Sequence, residues 1–347
     1  MIRIKGLNGL RAICAIYVLF SHVEQELVFV YGGQMNVFTA SAFAVTVFFT
    51  ISGFLITHQL LFEKQIAGVI RIRDFYLRRC LRILPLYFLY IFLALVVVVL
   101  YSKEFNFKYL VYFILPLANI PFILQIQIPL LSHLWSIGVE EQFYLFWPWM
   151  ISGVNKIGFF VFGFILAFLC VKVFIWISEY SWNNKFLYAM HITRFDCIAI
   201  GCLGALLFQK KGRRIGALFL SPFIQLVTYS AVLVLVFGKF HVADVIDHEV
   251  VAVLSVVIIF CIHYYKRSFI NLKSRWIDYL GSISYGLYMY HPLTIFLIFE
   301  LVRKFFHSRV IAIDILVYLI VTGVTIGIAG LSYKYFERQF LLKKALK

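Results

Sequence analysis

Long apolar runs broken by short basic segments dominate the chain. A spanning helix needs about 20 mostly apolar residues. Stretches near that length lie at 7–30, 39–62, 83–101, 109–128, 135–153, 157–177, 195–209, 217–237, 248–265, 281–302 and 310–333. The pattern predicts an all-α fold: a polytopic membrane helical bundle. No Gly/Ser linker, repeat or low-complexity stretch divides it, and the loops are short. The expectation is therefore one integral-membrane domain over 1–347 with no appended soluble domain.

The basic residues order the runs. Five clusters hold 22 of the 32 Lys and Arg: Arg3, Lys5 and Arg11; Lys64 to Arg82; Lys210 to Arg214; Lys266 to Arg275; and Lys334 to Lys347. Such clusters collect on the cytoplasmic side. The loop 239–249 carries Asp244, Asp247 and Glu249 instead, which suits the outside. Two clusters on one side are joined by an even number of crossings. Five runs lie between Arg82 and Lys210, so one of them does not cross. The first suspect is 109–128, with Pro116, Asn119, Pro121 and Pro129 in or beside it; irregular backbone at membrane depth survives against protein or a wet cavity. The second suspect is the short run 195–209. About ten transmembrane helices plus a re-entrant segment follow, with both termini cytoplasmic.

Composition agrees. Hydrophobic residues are 63% and charged residues 14%, against roughly 45–50% and 25% in soluble globular chains, so lipid must be part of the solvent. The net charge of +16 would suggest nucleic acid in a soluble protein. Here topology accounts for it, and no nucleic-acid partner is expected. The six cysteines are scattered without a CxxC pair, which indicates neither a disulfide framework nor a zinc site.

Ionisable groups inside apolar runs are costly and raise functional hypotheses. Arg11 and His22 are eleven residues apart, which at 100° per residue is three turns plus about 20°. They share one helix stripe, about 16 Å apart along the axis, with His22 near mid-membrane. A neutral imidazole there is either a satisfied core group or a base for a hydroxyl proton. Arg79 and Arg82 share a face of the next basic segment, and paired guanidiniums suit phosphate. Arg71 and Arg73 read as topology charge. Glu140 and Glu141 enter an apolar helix about 100° apart, so they cannot face one partner; one is expected to be structural, paired with an Arg such as Arg194. His291 stands at a depth like that of His22. It is either catalytic or bonded to a carbonyl freed by Pro292. Arg194 and Asp196 read as an ion pair or the edge of a vestibule. No P-loop, GxGxxG, HExxH or GxSxG motif is present, and no metal is expected.

These sets stand in the segments GLRAICAIYVLFSH (9–22), FFTISGFLIT (48–57), FYLRRCLRILPLY (75–87), SHLWSIGVEEQFYLFWP (132–148), RFDCIAIGCLGALL (194–207) and SYGLYMYHPL (284–293). In that order the chain resembles the acyltransferase 3 family of integral-membrane acyltransferases, which includes bacterial O-antigen and exopolysaccharide O-acetyltransferases. The resemblance spans about residues 6–335. It implies transfer of an acyl group, usually acetyl, from acyl-CoA to a hydroxyl of a glycan or lipid-linked sugar, in the cytoplasmic (inner) membrane of a bacterium. It makes His22 the catalytic histidine and Arg11 its partner, with Glu140, Glu141 and His291 as further catalytic candidates. Arg79 and Arg82, with Arg78 beside them, become the acyl-CoA contacts. Ser52 and Gly53 match the family's SGF motif. Ser52, Trp135, Arg194 and Asp196 are candidates for contact with the acceptor. The rival expectations are a transporter or flippase of a polyprenol-linked sugar, and a glycan polymerase or glycosyltransferase.

Overall fold

The computed structural model describes residues 4, 6–34, 37–101, 106–179, 185–237, 241–264, 268–306 and 310–343. Arg3, Lys5, Lys266 and the last basic residues, Lys344 and Lys347, lie outside them. The described residues are helical, with no strand among them. In chain order the helices are α1 (Leu7–Tyr31), α2 (Ser41–Ala67), α3 (Ile72–Leu100), the short α4 (Leu110–Ile114) and α5 (Asn119–Ile123), and α6 (Trp135–Gly153). There follow α7 (Ile157–Glu179), α8 (Lys185–Thr193), α9 (Phe195–Phe219), α10 (Pro222–Val236) and α11 (Asp247–His263). The last are α12 (Arg275–Ser282), α13 (Ser284–Phe305), α14 (Ile311–Ser332) and α15 (Arg338–Lys343), with a π-helical turn, Tyr333–Glu337, between α14 and α15.

Among the described residues, seven stretches are long and apolar enough to cross a membrane: Leu7–Tyr31, Ser41–Ala67, Ile72–Leu100, Ile157–Ser178, Lys185–Lys210, Ser284–Phe305 and Ile311–Leu342. The other main helices, α6, α10 and α11, have 19, 15 and 17 residues.

The segment expected not to cross is broken. Residues 107–134 form a 3₁₀ turn, α4, α5 and a second 3₁₀ turn (Ser132–Leu134), joined by irregular backbone in which Gln125 and Leu130 take positive φ. The segment is fastened to α6 by a reciprocal amide pair. Asn119 Nδ2 donates to Gln142 Oε1 (3.3 Å), and Gln142 Nε2 donates to Asn119 Oδ1 (2.7 Å) and to the Pro116 carbonyl (2.9 Å). Tyr90 on α3 donates to the Leu130 carbonyl at 2.6 Å. The second suspect, 195–209, instead belongs to the 25-residue helix α9.

The basic segments meet at one end. Lys64 Nζ donates to the Ile151 carbonyl (3.1 Å), Gln209 to Gln65 (3.1 Å), Arg78 pairs with Glu63 (2.8 Å), and Asn8 bonds Asp278 (3.0 Å). At the opposite end, the start of α2 meets the starts of α9 and α11: Arg194 bonds the Ala42 carbonyl, and Thr46 bonds His248.

α2 and α9 cross at near backbone contact. A Cβ on Gly53 would collide with the Ile198 carbonyl oxygen, and one on Gly201 with the Thr50 carbonyl oxygen. Small residues allow this approach where lipid supplies no hydrophobic drive between helices. The crossing fixes the rotation of α2 and turns Ser52 toward α6.

Candidate functional site

A cavity with about 820 Å³ of empty space, its open mouth included, lies between α1, α2, α3, α6 and α13. Its walls bring together Arg11, Arg79, Arg82, Glu140 and Ser52, with Tyr144, Ser136, Tyr285 and Tyr288 beside them. Three guanidiniums against one carboxylate make it a cationic space, suited to phosphate oxygens. One hydrogen-bond chain braces its wall. The Tyr144 hydroxyl donates to Glu140 Oε2 at 2.8 Å and also bonds Ser52 Oγ. A phenol has one proton, so Ser52 is the donor to Tyr144. The Arg79 guanidinium lies 4.4 Å from the centroid of the Tyr144 ring.

The adjacent glutamates part as their helical spacing requires. Glu140 faces the cavity, whereas Glu141 Oε1 is buried and makes no hydrogen bond among the described residues. Arg78, one residue from Arg79, turns to Glu63 and is not part of the cavity wall.

The imidazoles form a second group behind the far wall. His22 Nδ1 and His291 Nε2 are 2.9 Å apart, with the rings stacked at 4.9 Å and 12°. His133 meets His291 edge-on at 5.4 Å. Tyr288 joins this group to the cavity. Its ring lies 5.5 Å from His291, its hydroxyl donates to the His133 carbonyl (2.9 Å), and it accepts from Ser136 Oγ (2.7 Å).

His133, Tyr144, Ser136 and Tyr288 were not singled out by sequence. All four lie inside the recognised segments, and no period or spacing separates them from ordinary core residues. Their placement arises from the packing of α13 against α6 and the 3₁₀ turn before it.

Arg194 and Asp196 go elsewhere. They do not pair with each other, and Arg194 does not pair with Glu140 or Glu141. Arg194, at a left-handed φ of 45°, donates to the carbonyls of His191 (2.9 Å) and Ala42 (3.0 Å) and to Thr46 Oγ1 (3.3 Å). The reason is position. Arg194 immediately precedes α9, where the Ala42 carbonyl in the first turn of α2 and the His191 carbonyl in the last turn of α8 converge, while Asp196, in the first turn of α9, faces α7. There Asp196 Oδ2 lies 3.9 Å from Lys172 Nζ, which also contacts Glu249. Asp196, Cys197 and Glu249 lie close enough to share a cation, but the Lys172 ammonium already takes that position. Trp135 stacks on Phe122 (5.1 Å), with the Arg194 guanidinium 5.5 Å from its ring. Trp135, Arg194 and Asp196 are therefore buried outside the cavity.

Comparison with known proteins supplies a family for the chain. A family model described as an acyltransferase domain, that of acyltransferase 3, matches residues 4–334. The chain is 26% identical to "Putative O-acetyltransferase SACOL0978" of Staphylococcus aureus strain COL over 97% of its own length and 57% of the relative's. It is also 26% identical to "O-acetyltransferase OatA" of S. aureus strain NCTC 8325 / PS 47, over 99% and 58%. The chain thus spans somewhat over half the length of these relatives. No solved structure matches.

Proposed function

The chain belongs to the acyltransferase 3 family, and from that premise we propose that it moves an acetyl group from acetyl-CoA to a hydroxyl of a surface glycan or lipid-linked sugar. O-acetylation is the activity in the names of its relatives. The observation that carries the reading to this chain is the cavity lined by Arg11, Arg79 and Arg82, whose far wall at Tyr288 backs onto the His22–His291 pair.

The phosphates of the donor lie on Arg79, Arg82 and Arg11, and the pantetheine arm extends toward Tyr288. His22 takes the proton of the acceptor hydroxyl as its oxygen bonds the thioester carbonyl carbon. The tetrahedral intermediate collapses as the C–S bond breaks. The proton on His22 passes to the CoA thiolate, leaving an O-acetyl ester, free CoA-SH and neutral His22. Glu140, held by Tyr144, orients the donor end. Arg78, Glu141, Trp135, Arg194 and Asp196 lie outside the cavity wall and serve the fold rather than touch donor or acceptor. The bundle crosses the inner membrane of a bacterium about ten times, with both termini in the cytoplasm, so the basic end faces the pool of acyl-CoA.

The test is the His22→Ala variant in intact membranes at matched protein level. Glycan acetylation, read as a gain of one acetyl mass, is expected to fall below detection. So is acceptor-stimulated release of thiol from acetyl-CoA. Wild-type activity in that variant removes His22 as the base.

A further inference from the structure

We infer that His291 fixes the tautomer of His22, so that His22 works through its Nε2 atom. The inference rests on His22 being the base of the proposed reaction. It begins at Pro292, which has no N–H. At that position an α-helix would bond the carbonyl four residues back, which is Tyr288, so that carbonyl is left without its helical donor. Side chains in a helix lie back over the preceding turn, so the His291 ring stands over the turn that holds this freed carbonyl.

A carbonyl only accepts, so the ring nitrogen facing it carries the proton. That nitrogen is Nδ1, because Nε2 is engaged by His22 at 2.9 Å. A neutral imidazole has one proton, so His291 Nε2 must accept. His22 must then donate from Nδ1, and its lone pair lies on Nε2.

The neighbour that would compete does not. Both ring nitrogens of His133 are buried without a hydrogen-bond partner among the described residues, and its contact with His291 is through ring edges. The chain is therefore carbonyl, His291, His22, substrate. The position beside the base that a carboxylate holds in a serine-hydrolase triad is held here by a second, neutral histidine. When His22 Nε2 takes a proton, its Nδ1–H bond to His291 steadies the imidazolium.

His291→Phe keeps a flat ring and removes the acceptor; His291→Gln keeps an acceptor where Nε2 stood. In His291→Phe we expect kcat to fall roughly 10²-fold or more, the lower range of acid–base contributions, with KM for acetyl-CoA within about twofold of wild type. In His291→Gln about a tenth or more of kcat is expected to return. Solid-state ¹⁵N spectra of histidine-labelled full-length protein in lipid provide a readout independent of activity and of either His291 variant. The His22 signal, assigned by its loss in His22→Ala, is expected to show protonation at Nδ1.

Protonation of wild-type His22 at Nε2, or a folded His291→Phe variant with wild-type kcat, overturns the inference. If His22→Ala itself stays active, the base assignment fails, while the spectrum still reports the tautomer.

Discussion

Neighbouring arginines on α3 meet different fates. Arg79 lies over the Tyr144 ring at the cavity wall, while Arg78 is tied to Glu63 across the α2–α3 turn. Spacing alone could pair Arg79 with Arg82 but could not say which way Arg78 turns, since that depends on where the end of α2 places Glu63. The difference gives a clean contrast. A charge-assisted hydrogen bond contributes about 1.5–3 kcal/mol, so Arg82→Ala is expected to raise KM for acetyl-CoA roughly 10–100-fold. Arg78→Ala loses a partly exposed ion pair of about 0–1 kcal/mol and should leave that KM within about twofold. Steady-state thiol release over a range of acetyl-CoA concentrations measures both, and equal effects of the two variants would remove the phosphate assignment. His22 and His291 were legible in the sequence because an ionisable group in an apolar run stands out. His133 was not, since it sits in a 3₁₀ turn beside the polar start of α6 and gains its meaning from two other helices.

Helices were legible where hydropathy decides and less so where charge does. The run 157–177 emerges as Ile157–Glu179, and 310–333 as Ile311–Ser332, because both are apolar almost to their ends. The run 83–101 begins eleven residues earlier, at Ile72. Arg73, Arg78, Arg79 and Arg82 are polar enough to end a hydropathy window yet favourable in a helix, so the helix extends beyond its apolar part and carries the guanidiniums to the cavity. The α2–α9 crossing was legible only as the SGF motif, without its reason. Here Gly53 sits against the Ile198 carbonyl, so Gly53→Ala must separate two helix backbones. Overpacking costs about 1–3 kcal/mol, and the α2 displacement should also weaken the Ser52–Tyr144 contact. Lower thermal stability in detergent is expected for Gly53→Ala. Gly163→Ala, with open space around it, should match or exceed wild type. Equal melting of the two variants would show that the crossing is not tight.

At the scale of the whole molecule, two ends of opposite character frame the cavity. One gathers Lys64, Arg71, Arg73, Gln209 and Arg275. The other carries Asp244, Asp247 and Glu249, with Glu249 bound to Lys172 and Asp247 accepting from the backbone N–H groups of Val242 and Ala243. Positive loops remain on the cytoplasmic side during insertion, so the first end should face the cytoplasm. Ile66 lies there and Val242 at the other end, both well exposed, which makes each a suitable position for a reporter thiol. In intact cells a membrane-impermeant maleimide is expected to label Val242→Cys above the wild-type background. Ile66→Cys should react only after the membrane is opened. The result matters for the chemistry as well as the topology. Arg79 and Arg82 are about two to three turns into α3 from the basic end, so a donor confined to the cytoplasm reaches them only in this orientation. Labelling of Ile66→Cys in intact cells would place the arginine-lined mouth outside, away from any acyl-CoA, and would overturn the assignment of the cavity as the donor site.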